Sequence, residues 1–110
     1  MVERTNLYVD QGLDYSIELE LSDDFGVPLD ISSYSFYGSI RKVYSATNVL
    51  NFNFDITSAN TGGLEVFLNA NNTYDLEPGK YQYDIISDSQ DGRIKIVEGL
   101  LFLLPTNTKV

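Results

Sequence analysis

Asp14-Tyr15-Ser16-Ile17-Glu18-Leu19-Glu20-Leu21 alternates apolar side chains with charged or small ones at period two. Successive side chains of a β-strand point to opposite faces. The stretch is therefore a strand with Tyr15, Ile17, Leu19 and Leu21 on a buried face and Ser16, Glu18 and Glu20 in water. One dry face and one wet face is the pattern of an antiparallel sheet. Outward along the chain the same period recurs. Leu50, Phe52, Phe54 and Ile56 alternate with Asn51, Asn53 and Asp55, and Leu64, Val66 and Leu68 form another set. Tyr81, Tyr83 and Ile85 alternate with Gln82 and Asp84, and Ile94 and Ile96 open a long last strand. Leu7 and Val9 mark a short opening strand and residues 36–43 a middle one.

Turn signals separate these runs. Asp23-Asp24-Phe25-Gly26-Val27-Pro28 closes the first long strand, and residues 58–63 form a loop ending in Gly62-Gly63. Ser87-Asp88-Ser89-Gln90-Asp91-Gly92 joins the last two strands, with Asp91-Gly92 as the hairpin signal. Only residues 70–76 suit a helical turn. About seven strands in 110 residues predict an all-β domain, an antiparallel β-sandwich of two packed sheets spanning 1–110, with 105–110 as a C-terminal tail. Leu76-Glu77-Pro78-Gly79-Lys80-Tyr81 resembles the corner between the sheets of an immunoglobulin-like domain. There a Tyr hydroxyl bonds back to an upstream backbone group.

Composition removes several functions. Sixteen acidic and seven basic side chains give a net charge of −9, and residues 1–40 hold eight carboxylates against Arg4 alone. Such a surface repels phosphate backbones, so no nucleic-acid partner is expected. The chain has no His, no Cys and no Trp. Imidazole proton shuttles, thiolate nucleophiles and Cys- or His-based metal sites are thereby excluded. No stretch is long and apolar enough for a membrane span, and the first residues lack a signal-peptide core, so no membrane association is expected.

Carboxylates are the remaining catalytic option. Glu18 and Glu20 lie about 7 Å apart along one strand, a spacing glycosidases use, but alternation with core residues places them on a solvated face rather than in a cleft. Asp23, Asp24 and Asp30, and the loop 88–92, lack the ligand spacing of a calcium loop. The expectation is a non-enzyme with no catalytic residue, cofactor or metal. Aromatic platforms keep carbohydrate binding as an alternative. Tyr15, Phe36, Phe52, Phe54, Tyr81 and Tyr83 fall on predicted core faces, leaving Tyr8, Phe25, Tyr34, Tyr37, Tyr44, Phe67 and Tyr74 for the surface.

Leu100-Leu101-Phe102-Leu103-Leu104 is apolar on both faces of a strand. If Leu100, Phe102 and Leu104 pack in the core, Leu101 and Leu103 need cover. A protein interface supplies it, or a bulge at Gly99, the N-terminal strand or the tail does so. Tyr37 and Phe67 raise the same question. The candidate interface set is Leu101, Leu103, Tyr37 and Phe67 as apolar anchors, with Glu18 and Glu20 facing a basic partner.

The order of motifs resembles a small immunoglobulin-like domain of tailed bacteriophages, found at the N-terminus of baseplate upper proteins and in related virion proteins. Asp10-Gln11-Gly12 leads into the strand of Tyr15, and Asp24-Phe25-Gly26-Val27-Pro28-Leu29-Asp30-Ile31 is similar to the family's acidic turn and its Pro-hydrophobic-Asp-hydrophobic step. Leu76-Glu77-Pro78-Gly79-Lys80-Tyr81-Gln82-Tyr83-Asp84-Ile85 resembles its Pro-Gly, Tyr-x-Tyr-Asp signature, and Val97-Glu98-Gly99 leads to the last apolar strand. The larger members carry a fibre or receptor-binding part behind the module, whereas this chain ends at Val110. The resemblance implies an immunoglobulin-like β-sandwich, made in the host cytoplasm and resident in the virion. It implies a tail, neck or baseplate adaptor that docks in several copies on other virion proteins, with homo-oligomerisation also open. The alternative is a decoration protein on the capsid surface.

Overall fold

The strand written by Tyr15, Ile17, Leu19 and Leu21 is present, and its pairing shows how the rest of the chain is arranged. The computed structural model describes residues 3–43 and 48–108. Nine strands are described: β1 Glu3–Arg4, β2 Leu7–Asp10, β3 Tyr15–Glu20, β4 Ser35–Lys42, β5 Asn48–Asn51, β6 Asn53–Ser58, β7 Gly63–Leu68, β8 Gly79–Ser89 and β9 Gly92–Leu104. A one-turn helix, α1, spans Ala70–Thr73. The six-stranded sheet runs β1-β9-β8-β4-β5, with β2 also on β9, and the three-stranded sheet runs β3-β7-β6. This is an all-β, immunoglobulin-like sandwich. It differs from a purely antiparallel one in that β1 and β2 pair parallel to β9.

The inner faces of the two sheets meet in one core. Ile40, Ile85, Val97, Leu101 and Leu103 from the large sheet meet Leu64, Val66 and Leu68 from the small one, and all are buried. The ring of Phe52 packs edge-on against Tyr83, and Phe36 packs against Phe54 and Tyr34. Tyr15, Phe36, Phe52, Phe54, Tyr81 and Tyr83 thus serve the core, as their alternation predicts. Tyr34 does so as well, against the expectation that it faces out.

Two expectations fail, each for a physical reason. The run from Leu50 to Ile56 is not one strand. It breaks at buried Phe52, so that β5 belongs to the large sheet and β6 to the small one. Period two survives a crossing between sheets, because both halves present their apolar side to the same core. The second failure concerns β9. Leu101 and Leu103 are only 2% exposed and lie in the core, while Leu104 is 41% exposed and Leu100 and Phe102 are half-buried on the outer face. The β8–β9 register shifts between Ile85 and Ile86, which face Val97 and Lys95 respectively. Ile96 is the extra residue of a β-bulge, and one extra residue exchanges the two faces of everything beyond it. The bulge is at Ile96, not at Gly99.

Gly99 has a different role. A Cβ there would lie 2.1 Å from the carbonyl oxygen of Thr5, so only glycine lets the N-terminal segment run this close. Thr5 N–H donates to the Glu98 carbonyl at 3.0 Å, and the Tyr83 hydroxyl donates to the Thr5 carbonyl at 2.6 Å. Together these hold β1 and β2 on the edge of β9. Two residues earlier on β8, the Tyr81 hydroxyl donates to the carbonyl of Glu77, the corner expected from the Pro78-Gly79 step. The hairpin between β8 and β9 turns at Gln90-Asp91, one residue ahead of the expected Asp91-Gly92 pair.

Candidate interaction surfaces

Each sheet offers an outer face, and they differ in charge. All six described cations, Arg4, Arg41, Lys42, Lys80, Arg93 and Lys95, are carried by strands of the large sheet. Carboxylates stand among them. Glu98 pairs with Arg4 and Lys95 at 3.2 Å each, Asp88 with Arg93 at 3.2 Å, and Asp84 with Lys95 at 3.7 Å. The hydrogen bond from Lys95, with help from Arg4, holds the Glu98 carboxyl below its ordinary range. A shallow concavity of about 430 Å³ lies over Arg4, Arg41, Gln82, Lys95 and Glu98. Beside it stand apolar groups: the stacked rings of Tyr8 and Phe102, 5.2 Å apart, and Tyr37 opposite Ile86.

The described charged side chains on the outer face of the small sheet are all acids. Glu18 on β3 faces Glu65 on β7, which in turn faces Asp55 on β6, so three carboxylates cross the sheet in one row. Glu20 lies on the same face of β3, two residues on. Phe67 sits half-buried between Ser16 and Asn53 on the neighbouring strands. No described Lys or Arg belongs to this sheet, and like charges placed directly opposite each other repel.

A third surface is the flank where β3 ends the small sheet. There Glu18, Leu19 and Leu21 line a groove of about 390 Å³ with Leu7, Ile96 and Val97 of the large sheet. A second hollow of about 360 Å³ continues it past Leu29, Tyr34 and Ile94, sharing Glu3, Glu20, Leu21 and Ile96 with the first. Ile94 is 49% exposed here, and the core-facing side chains of β3 are only half-buried.

The expected interface set is therefore dispersed. Leu101 and Leu103 are core and offer nothing to a partner. Tyr37 is 57% exposed on the large sheet, whereas Phe67, Glu18 and Glu20 belong to the small sheet's outer face, across the sandwich. No single partner surface touches both. Missed were Asp55 and Glu65, whose outward direction is legible in their alternation with Phe54, Ile56, Leu64 and Val66. Their alignment with Glu18 required the strand pairing. Also missed was Ile94, read only as part of the alternation of the last strand; Ile96 lines the same flank while packing against the core. Among the surface aromatics, Tyr8, Phe25 and Tyr74 are exposed, and Tyr44 lies outside the described residues.

The acidic turns act locally. Asp23 Oδ1 accepts from the N–H of Phe25 and Val27 at 2.9 and 3.0 Å, and Asp30 Oδ1 accepts from Ser32 N–H at 3.0 Å. That backbone donor, with the Ser32 hydroxyl, lowers the Asp30 carboxyl from its ordinary pKa. Among the described residues no group of three or more acids is arranged to hold a metal ion, and no helix is long and apolar enough to cross a membrane.

No protein-family model and no curated protein matches the chain. Solved structures do. Murine CRIg is similar at 9% identity and a TM-score of 0.44, over 93% of this chain and 92% of that one. The extracellular domain of the voltage-gated sodium channel beta4 subunit, described as a parallel homodimer in cell–cell adhesion, is similar at 13% identity and a TM-score of 0.45, over 94% and 93%. A structure from a study of cell-adhesive interactions of sodium channel beta subunits aligns at 13% identity and a TM-score of 0.44, over 96% and 93%.

Proposed function

We propose that the chain is a non-enzymatic structural protein of a bacteriophage virion, a small tail, neck or baseplate adaptor that docks in several copies on larger virion proteins. The observation that carries the docking half of this reading is the segregation of charge between the two outer faces. A sandwich with every described cation on one sheet and an unrelieved acidic row on the other presents a defined orientation to a charged partner. The phage half rests on the order of sequence motifs from Asp10 to the last strand. Leu101 and Leu103 have no part in it; the residues offered to partners are Glu18, Glu20 and Phe67 on one side and Tyr37 on the other.

The test is immunogold electron microscopy of particles from the source lysate, with antibody raised against the purified chain. Label confined to the tail or neck is the expected result. Label over the head moves the chain to capsid decoration. Label on no particle overturns the virion reading and turns attention to carbohydrate binding. A glycan array then decides that question by whether any binding is lost in Tyr37→Ala.

A further inference from the structure

The four sheet edges are not equivalent. On the large sheet β1 and β2 have two and four residues, and β5, also of four, pairs with β4 through a register shift. On the small sheet β6 is interrupted by a shift between Ile56 and Ser58. Short or bulged edges resist the addition of another strand. By contrast β3 is six residues long and in unbroken register with β7, and it holds no Pro, no Lys and no bulge. Among the described residues no strand pairs with its other edge, because β1 and β2 are committed to β9.

The direction of its free hydrogen-bonding groups follows from the ladder. Leu21 N–H donates to the Gly62 carbonyl at 2.9 Å, in the register that pairs Leu19 with Leu64 and Ile17 with Val66. Alternation along an antiparallel pair then turns the N–H and C=O of Ser16, Glu18 and Glu20 away from β7, toward the vacant side. A strand added there would place one set of side chains in the apolar groove beside Leu19, Leu21 and Ile96. The alternate set would stand next to Glu18 and Glu20 on the acidic face.

We propose that the open edge of β3 is a strand-docking site, and that its occupant is an extended segment of another protein alternating apolar residues with Lys or Arg. The groove selects the apolar set. Glu18 and Glu20 select the basic one, and among the described residues no Lys or Arg lines either hollow beside them. Adding a strand supplies affinity through the main chain and specificity through alternate side chains. A second copy pairing β3 to β3 is disfavoured, since it sets Glu18 and Glu20 of both copies on one face.

This deepens the docking reading and rests on it, but its test needs no virion. Amide hydrogen exchange of the ¹⁵N-labelled chain is followed by NMR with a short synthetic peptide alternating Lys and Val. A peptide of the same composition with its Lys and Val in separate blocks is the control. The alternating peptide is expected to slow exchange at Ser16, Glu18 and Glu20 by about tenfold or more and to leave the outer edge of β5 unchanged. Glu18→Pro removes one outward N–H and no ladder bond, a substitution edge strands accept. It should abolish the protection, whereas Glu18→Gln should only weaken it and reduce its salt dependence. If Glu18→Pro does not fold, a peptide N-methylated at alternate backbone nitrogens must fail to protect. Three results overturn the proposal: no protection at the three amides, equal protection by the blocked peptide, or protection that grows with chain concentration alone. Protection without label on any particle keeps the edge and discards the virion reading; label without protection does the reverse.

Discussion

The two outer faces of the sandwich are made from the same kind of strand yet are finished differently. On the large sheet Asp84, Asp88 and Glu98 each have a cation within 4 Å. On the small sheet Glu18, Glu65 and Asp55 face one another with none among the described residues. The inner faces differ in parallel. Ile40, Ile85, Leu101 and Leu103 of the large sheet are sealed, while Ile17 and Leu19 at the edge of the small one are half-covered. The large sheet, with its clamped N-terminus and tyrosine corner, is the finished half. The small sheet leaves charge and an edge unsatisfied, and unsatisfied groups are what a partner can use.

The two sheets should differ most in their core. Leu101→Ala or Leu103→Ala should each cost about 2–5 kcal/mol, because each leaves a cavity in a sealed layer. Leu19→Ala, half-exposed on β3, should cost roughly half as much. Urea unfolding measures both. Equal costs would mean that the edge of the small sheet is as closed as the large one.

A smaller effect separates the halves by pH. Burial, reinforced by Tyr15 and Glu3, raises the Tyr83 hydroxyl to about 12 from an ordinary 10.0. The fold favours the neutral phenol. Its contribution is complete below pH 10, where both folded and unfolded chains hold the proton. It is lost from about 10 to about 12, where the unfolded chain gives the proton up first. Burial also raises Tyr15 and Tyr81, so part of the loss is theirs. Unfolding midpoints should fall across this window, and less steeply in Tyr83→Phe, which also loses the bond to Thr5. An unchanged slope in that variant would show that folding does not hold the proton on Tyr83 through this window.

The smallest effects test the charges themselves. Glu65→Gln, at the centre of the acidic row, should stabilise by roughly 0.2–0.5 kcal/mol at low salt and by nothing at high salt. Asp88→Asn, in an exposed pair with Arg93, should destabilise by about 0–1 kcal/mol. Thermal unfolding at two ionic strengths reads both. Shifts of the same sign would erase the distinction between the faces.

The fold class, the inward and outward residues of β3, β7 and β8, and the tyrosine corner are all legible in the order of residues. These depend on neighbours two to five positions away, and period two or a Pro-Gly step records them directly. Tertiary structure alone decided which half of residues 50–56 joined which sheet, and which face of residues 100–104 was dry. A crossing at Phe52 leaves the alternation unbroken, and a single bulged residue at Ile96 reverses it without any mark in composition. Pairing decided the rest. Glu18, Asp55 and Glu65 are each legible as solvent-facing, but they become a row only when β3, β7 and β6 align. No described strand pairs with the outer edge of β3, because the N-terminal segment, held where Gly99 lets Thr5 approach, spends its hydrogen bonds on β9.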